Sequence, residues 1–551
     1  MALRRRDAPV LLLGAALAGA AALLIALTWE LTFFQDTWAF LMERQGSSLH
    51  DFLAPHNEHL VVFQVALEKL LINTFGMTTA HPELFVMIAM LLANGALLFA
   101  YVRRRLGDWS ALMMAALLLF LGSAWQVQLW PFEIEFVAPI MTGLGVLLLL
   151  EREDRLGDAW ACLLIVIGIG FGSLGLSFAL AAAADVWVRR RERGLWSRLW
   201  IVVVPFVLYG LWYVGWGHEA EHHLTLHNLL RLPPYVLEGV GTALAALSGL
   251  LTLNFSGPSD PFWGRPLIIV VVALIAYVKW RRPGFAWTLW PVLVAAFSYW
   301  ILAGLNYIPG REASSPRYVY ASAAFVLMVS AELLRGSRLS RRGILIAGAL
   351  TAVAVMPNLA QMKEGADWLK EQTVLTRADT GAIEIASRTV EPSFRLTPEL
   401  AGTPSLVNVD AGDYLSAVEA HGSPAYSPVQ LAATREVGRH WADVVLARAL
   451  PVSLETEFGT YAHAAARSCT AIAPGSAPPA GVELAPGSTK IEVAPGPPVS
   501  FSLRRFAVAE FPVKTSGAPG ESTSYIGIPH DRASQPWFLH LEAQQPVRVC
   551  R

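Results

Sequence analysis

Apolar runs long enough to cross a bilayer recur along the first two thirds of this 551-residue chain, and clusters of Arg and Lys stand between them. A hydrocarbon core takes roughly 20 helical residues to cross. Inside it every backbone N–H and C=O must be satisfied within the segment, so such runs have to be helices. The basic clusters, at 4–6, 103–105, 152–155, 189–193, 279–282 and 335–342, orient them, because Lys and Arg stay on the cytoplasmic side. With 54% hydrophobic and 15% charged residues, the composition is that of an integral membrane protein. A formal net charge of -1 excludes nucleic-acid binding through overall charge. The first run follows Arg4, Arg5 and Arg6 in the charge order of a signal peptide, but at about 20 residues it reads as an uncleaved anchor.

Holding the basic clusters inside places about eleven spans. They fall near 8–28, 83–102, 109–124, 136–150, 199–216, 265–280, 285–304, 318–334 and 343–360, with two short helices within 158–188 turning at Gly172-Ser173-Leu174-Gly175. The run at 236–253 has no basic cluster at its end and reads as an interfacial or re-entrant helix. The loop 29–82 then lies outside, the N-terminus is cytoplasmic and the C-terminus is outside. From about 361 the composition becomes that of a soluble domain. It reads as helices broken by Pro and Gly to about 450, then as short alternating strands such as Lys490-Ile491-Glu492-Val493, separated by turns. The expected fold is an α-helical polytopic membrane domain over 1–360 and an extracytoplasmic α+β domain over 361–551 ending in a small β-sandwich. Of three cysteines, Cys162 falls in an apolar span as a small hydrophobe, while Cys469 and Cys550 lie in the outer domain, where one disulfide is open to them.

The polar chemistry falls on one side. Asp36, the cluster His56, Glu58 and His59, the pair Glu133 and Glu135, the histidines at 218–227, and Arg311, Arg317 and Tyr318 all map to outer loops. Charged groups at the edge of a membrane-embedded chain are costly and usually have a task. One-sidedness points to a cavity open to the outer face.

An acidic residue after the first span, a long outer loop, a short helix pair, about eleven spans and an outer C-terminal domain together resemble the GT-C superfamily of membrane glycosyltransferases, which includes protein O-mannosyltransferases, aminoarabinose transferases and oligosaccharyltransferase subunits. Asp36-Thr37-Trp38, Pro55-His56-Asn57-Glu58-His59, Trp130-Pro131-Phe132 and Gly172-Ser173-Leu174-Gly175 are similar to bacterial members of that group, over about residues 1–360. The resemblance implies an inner-membrane enzyme that takes a sugar from a polyprenyl-phosphate donor and passes it, with inversion, to an envelope glycan, lipid or protein. It makes Asp36 the base that deprotonates the acceptor hydroxyl. Arg311 and Arg317 become the cations that meet the departing phosphate.

Plainer readings stand beside these. Asp36 could cap an interfacial helix. His56, Glu58 and His59 are substrate contacts or, with a further ligand from elsewhere, hold a divalent cation. Glu133 and Glu135 contact the acceptor or sit at a helix entrance favoured by its dipole. Arg317 and Tyr318 bind phosphate or anchor a span at the interface, and the histidines at 218–227 form a solvated loop. Two rival functions remain: a transporter or flippase of lipid-linked glycans, which needs mid-membrane ionisable groups, and a non-catalytic assembly protein. Gln35-Asp36-Thr37 carries one carboxylate where many members carry two, which leaves the second rival open.

Overall fold

The computed structural model describes residues 8–44, 46–255, 257–281, 284–407, 409–450, 452–456, 469–472, 482–484, 487–493, 500–513, 515–516, 522–542 and 546–550. The chain divides into two compact units, one of residues 1–30, 46–74 and 81–368, the other of 31–45, 75–80 and 369–551. Two pieces of the loop after the first span thus cluster with the C-terminal chain.

The first unit is helical. Among the described residues five helices are long and apolar enough to cross a membrane: Ala8–Thr28, His81–Leu106, Asp108–Leu129, Pro131–Leu150 and Arg341–Ile385. The last continues well past 360, where the hydropathy pattern ends its span. Shorter apolar helices are Leu174–Val188, Trp200–Gly215 and Leu289–Leu305, and the unit also holds Arg155–Phe171, Gly264–Arg281 and Pro316–Leu333. Of the run at 236–253, residues 236–247 belong to the helix Leu226–Leu247, which starts ten residues earlier and packs against Gly264–Arg281, Leu289–Leu305 and Pro316–Leu333; the rest leaves the helix. Large apolar side chains stand exposed in rows, among them Val203, Val207 and Leu211, then Ile269 and Val272, then Leu345, Leu350 and Val353. In water such faces would drive association; in a bilayer they are the lipid-facing surface. The chain is a multi-pass membrane protein.

The expected short helix pair is present as Arg155–Phe171 and Leu174–Val188. Glycine permits its tightness: a Cβ on Gly175 would lie 2.3 Å from the Gly168 carbonyl carbon, so the two backbones touch where no side chain fits. Below the turn, Val146, Ala161, Cys162, Ile165, Ala179, Ala182 and Ile201 form a buried apolar core.

At the end of the bundle opposite that turn, Glu332 is buried and accepts from Tyr101 Oη at 2.8 Å, Arg105 Nε at 2.5 Å, Thr288 Oγ1 at 2.7 Å and Arg335 Nε at 2.9 Å. Arg105 also pairs with Glu151. A second buried set joins Arg198 to Asp158 at 3.0 Å and Asp185 at 2.8 Å. Removed from water, each charge depends on its partner, so these groups lock helix ends together.

In the second unit the helix Asp36–Glu43 packs beside Ala411–His421 and the short strand Val409–Asp410. Trp38 is completely buried, edge-on to Phe33 and Tyr414 at 5.6 and 6.0 Å between ring centroids. After the helix Glu436–Ala449 the chain turns to strands. One sheet of six strands runs in the order Cys469–Ile472, Val547–Cys550, Gly487–Val493, Ser522–Ile528, Ser453–Thr456, Thr515–Ser516; a four-stranded sheet is ordered Val482–Leu484, Trp537–Glu542, Ser500–Arg504, Phe511–Pro512. The Asp443 carboxylate, fully buried, accepts from the backbone N–H groups of Arg505, Phe506 and Ala507 at 2.7, 3.0 and 3.0 Å, joining the last helix to the strands. Register places Cys469 opposite Cys550; their side chains lie outside the described residues.

Candidate active site

Four segments far apart in sequence meet in the first unit. The first is a tight turn after the helix Leu49–Leu53, whose start is fixed by a Ser48–Asp51 capping box. His56 and His59 exchange backbone hydrogen bonds of 3.1 and 2.9 Å. Asn57 at φ 51° takes the left-handed position, which Asn tolerates better than most residues. The turn therefore carries Glu58 at its tip.

Glu58 meets the second segment, the loop before Pro316–Leu333. Arg311 Nη1 donates to Glu58 Oε1 at 2.6 Å, with the two side chains 14% and 11% exposed. Burial pushes the Glu58 carboxyl up, but His59 and Arg311 beside it more than offset this and hold it below its usual range. Burial depresses the His59 imidazole, outweighing the pull of Glu58, and Arg311 and His56 depress it further. Arg311 is the permanent cation facing Glu58. The loop is braced from behind, since Tyr235 Oη donates to the Arg311 carbonyl at 3.3 Å.

The helix-pair turn is the third segment. Ser173 Oγ lies 2.7 Å from His59 Nδ1, tying this turn to the first. Gly172 lies so close to Glu135 that a Cβ there would stand 3.1 Å from its carbonyl oxygen.

The fourth segment, Trp130 to Glu135, closes the set. The His56 ring stands edge-on to Phe132 at 5.2 Å, and Phe132 stacks on Trp130 at 5.6 Å. Gln64 Nε2 holds the Phe132 carbonyl at 2.8 Å. Glu133 is 1% exposed, 3.8 Å from Arg317 Nε, and the Arg317 guanidinium lies 6.0 Å from the Trp130 ring centroid. Tyr318 packs edge-on to Phe136 at 5.7 Å, and its carbonyl accepts from Tyr299 Oη at 3.2 Å.

His56, Glu58, His59, Glu133, Glu135, Arg311, Arg317 and Tyr318 are therefore gathered in one unit. Two features were not legible beforehand. Each arginine faces a glutamate, and Ser173 is a partner of His59, for which the only signal was its place in the Gly172 to Gly175 turn. Among the described residues no group of three His, Cys, Asp or Glu side chains converges as a metal site. The histidine-rich segment reaches the turn where the Glu221 N–H donates to the Asn57 carbonyl at 3.1 Å.

Asp36 belongs to the other unit. It is half-buried in the first turn of Asp36–Glu43, and that helix has no side-chain cap bond. The residue before it, Gln35, sits at φ 44°, ψ -117°, a region costly to a residue with a Cβ. Gln35 is held there by its N–H to the Ser405 carbonyl at 2.9 Å and by its carbonyl accepting from Trp38 at 2.8 Å. The strain fixes the direction in which Asp36 leaves the chain.

No protein-family profile and no curated protein matches the chain. Among solved structures it is similar to the oligosaccharyltransferase of Archaeoglobus fulgidus tethered to an acceptor peptide, at 13% identity and TM-score 0.42, over 69% of this chain and 57% of that one. It is similar also to the oligosaccharyltransferase AglB of the same organism in complex with an inhibitory peptide and dolichol-phosphate, at 14% identity and TM-score 0.34, over 76% and 64%. Arabinosyltransferase EmbB of Mycobacterium smegmatis matches 97% of this chain and 64% of its own length, at 13% identity and TM-score 0.36. The chain thus spans under two thirds of the length of each, and likeness at this level carries no functional argument.

Proposed function

We propose that the chain is a membrane glycosyltransferase of the GT-C type, moving a sugar from a polyprenyl-phosphate carrier to an extracytoplasmic envelope glycan, lipid or protein at the bacterial inner membrane. The observation that supports this reading is the meeting of four polar segments in the helical unit, with Arg311 and Arg317 each beside a glutamate. In the step proposed, the acceptor oxygen forms a bond to the anomeric carbon from the face opposite the leaving group, inverting it. Its proton goes to the Asp36 carboxylate. The bond from the anomeric carbon to the phosphate oxygen breaks, and polyprenyl phosphate leaves with the electron pair. Arg311 and Arg317 stabilise the charge that develops there, and Glu133, Glu135, His56 and His59 bind hydroxyls.

The test is Asp36→Asn in proteoliposomes containing a lipid-linked sugar donor. General-base loss costs about 10²- to 10⁴-fold, so the variant should fold, elute as the wild type does and transfer at that reduced rate. Transfer at the wild-type rate would remove Asp36 from the chemistry.

A further inference from the structure

The helix His81–Leu106 ends in three arginines with different fates. Arg105 is buried and committed to Glu332 and Glu151. Arg103 and Arg104 instead line an open cavity of about 700 Å³, together with Arg338, Asp108, Phe99 and Trp109. Among the described lining residues, three guanidiniums thus stand with one carboxylate. Arg103 Nε pairs with Asp108 at 2.7 Å, and Arg104 Nη1 with Glu151 at 2.9 Å, each leaving further N–H donors. Arg338 is exposed and has no ion-pair partner among the described residues.

The position matters as much as the charge. Arg338 follows the C-terminal end of Pro316–Leu333, whose first turn carries Arg317 and Tyr318. At 1.5 Å per residue that helix puts roughly 27 Å between the cavity and the candidate active site. Trp109, exposed at the cavity, supplies an aromatic group typical of a membrane–water boundary. Beside the cavity, past Pro9, the helix Ala8–Thr28 presents Val10, Leu11 and Leu12 at 44, 53 and 47% exposure, a surface suited to acyl chains. Guanidinium forks match phosphate oxygens in pairs, and basic pockets between helix ends recognise anionic headgroups.

We propose that this cavity is a binding site for a phosphate-bearing anion, the headgroup of an anionic phospholipid, at the end of the bundle remote from the candidate active site. Phosphate oxygens take the free N–H donors of Arg103, Arg104 and Arg338, while the acyl chains lie along Val10 to Leu12.

The experiment uses the full chain in nanodiscs of phosphatidylcholine with or without phosphatidylglycerol. Native mass spectrometry counts the phosphatidylglycerol retained. A second arm titrates glycerol phosphate against the protein in phosphatidylcholine alone and follows thermal protection. Arg338→Gln touches no partner and should fold as the wild type does. It is expected to retain about fivefold less phosphatidylglycerol, and Arg103→Gln with Arg338→Gln about 25-fold less. Arg341→Gln, an exposed arginine that does not line the cavity, should retain the wild-type amount. Glycerol phosphate protection that Arg338→Gln abolishes, without lipid selectivity, would support the same phosphate chemistry from a soluble source. Equal losses in Arg338→Gln and Arg341→Gln, or wild-type retention in the double variant with no protection by glycerol phosphate, would overturn the site.

Discussion

Replacing Arg311 by Ala separates the stability of the candidate site from its chemistry. The 2.6 Å bond from Arg311 to Glu58 joins side chains that are 14% and 11% exposed. Removing the guanidinium strands a carboxylate, and breaking a buried pair costs about 3–5 kcal/mol. Residual contact with water lowers this to about 2 kcal/mol. His59 Nε2 lies 3.6 Å from the same carboxylate oxygen, and with the Arg311 charge gone it takes a proton more readily and returns part of the loss. Glu58→Gln combined with Arg311→Ala leaves neither charge unpaired, so the double variant should recover most of the stability. Transfer behaves differently. A cation that meets charge only on the leaving phosphate is worth about 2.7–4 kcal/mol, or 10²- to 10³-fold in kcat, and the double variant does not restore it. Chemical denaturation in micelles reads the first quantity, and single-turnover transfer from a lipid-linked donor in proteoliposomes reads the second. A double variant that transfers at the wild-type rate would refute the role given to Arg311. One as unstable as Arg311→Ala would refute the pairing argument.

Glu332→Ala leaves Arg105, 2% exposed, without its main partner and should cost about 3–5 kcal/mol, seen as an earlier melting transition in fluorescence-detected gel filtration; Arg105→Met with Glu332→Leu should recover most of it, and an unchanged melt in Glu332→Ala would show that the cluster does not hold the helix ends. Acid should weaken the candidate site in two stages. His59 is depressed in the folded chain, so its contribution is lost as pH falls below its ordinary 6.5 towards its folded value. Glu58 is also depressed, so its contribution is present above 4.5 and lost as pH falls through its lower folded value. His59→Gln should remove the first stage from the pH profile of the denaturation midpoint and leave the second; a first stage that persists would place the titrating group elsewhere.

The helices were legible because their cause is local. Lipid forces the backbone of each apolar run to bond within itself, and basic side chains mark where a run must end, as at Arg103 to Arg105. The short pair at 158–188 followed from the same rule, and its close approach at Gly175 needs the absence of a Cβ. The strands Gly487–Val493 and Trp537–Glu542 likewise announce themselves by alternation. The sequence also marked which polar residues are expensive to keep at a membrane, and eight of the nine singled out for a site fall in one unit. Their partners were not legible. That Arg311 faces Glu58, 253 positions away, or that His59 reaches Ser173, 114 positions away, depends on how the helices pack, and packing is set by shapes summed over the whole bundle. The same holds for Asp36. Local pattern places it after the first span; only the tertiary structure gathers its helix with Ser405 and Tyr414, because a Trp38 side chain that must leave water finds its cover in the C-terminal part of the chain.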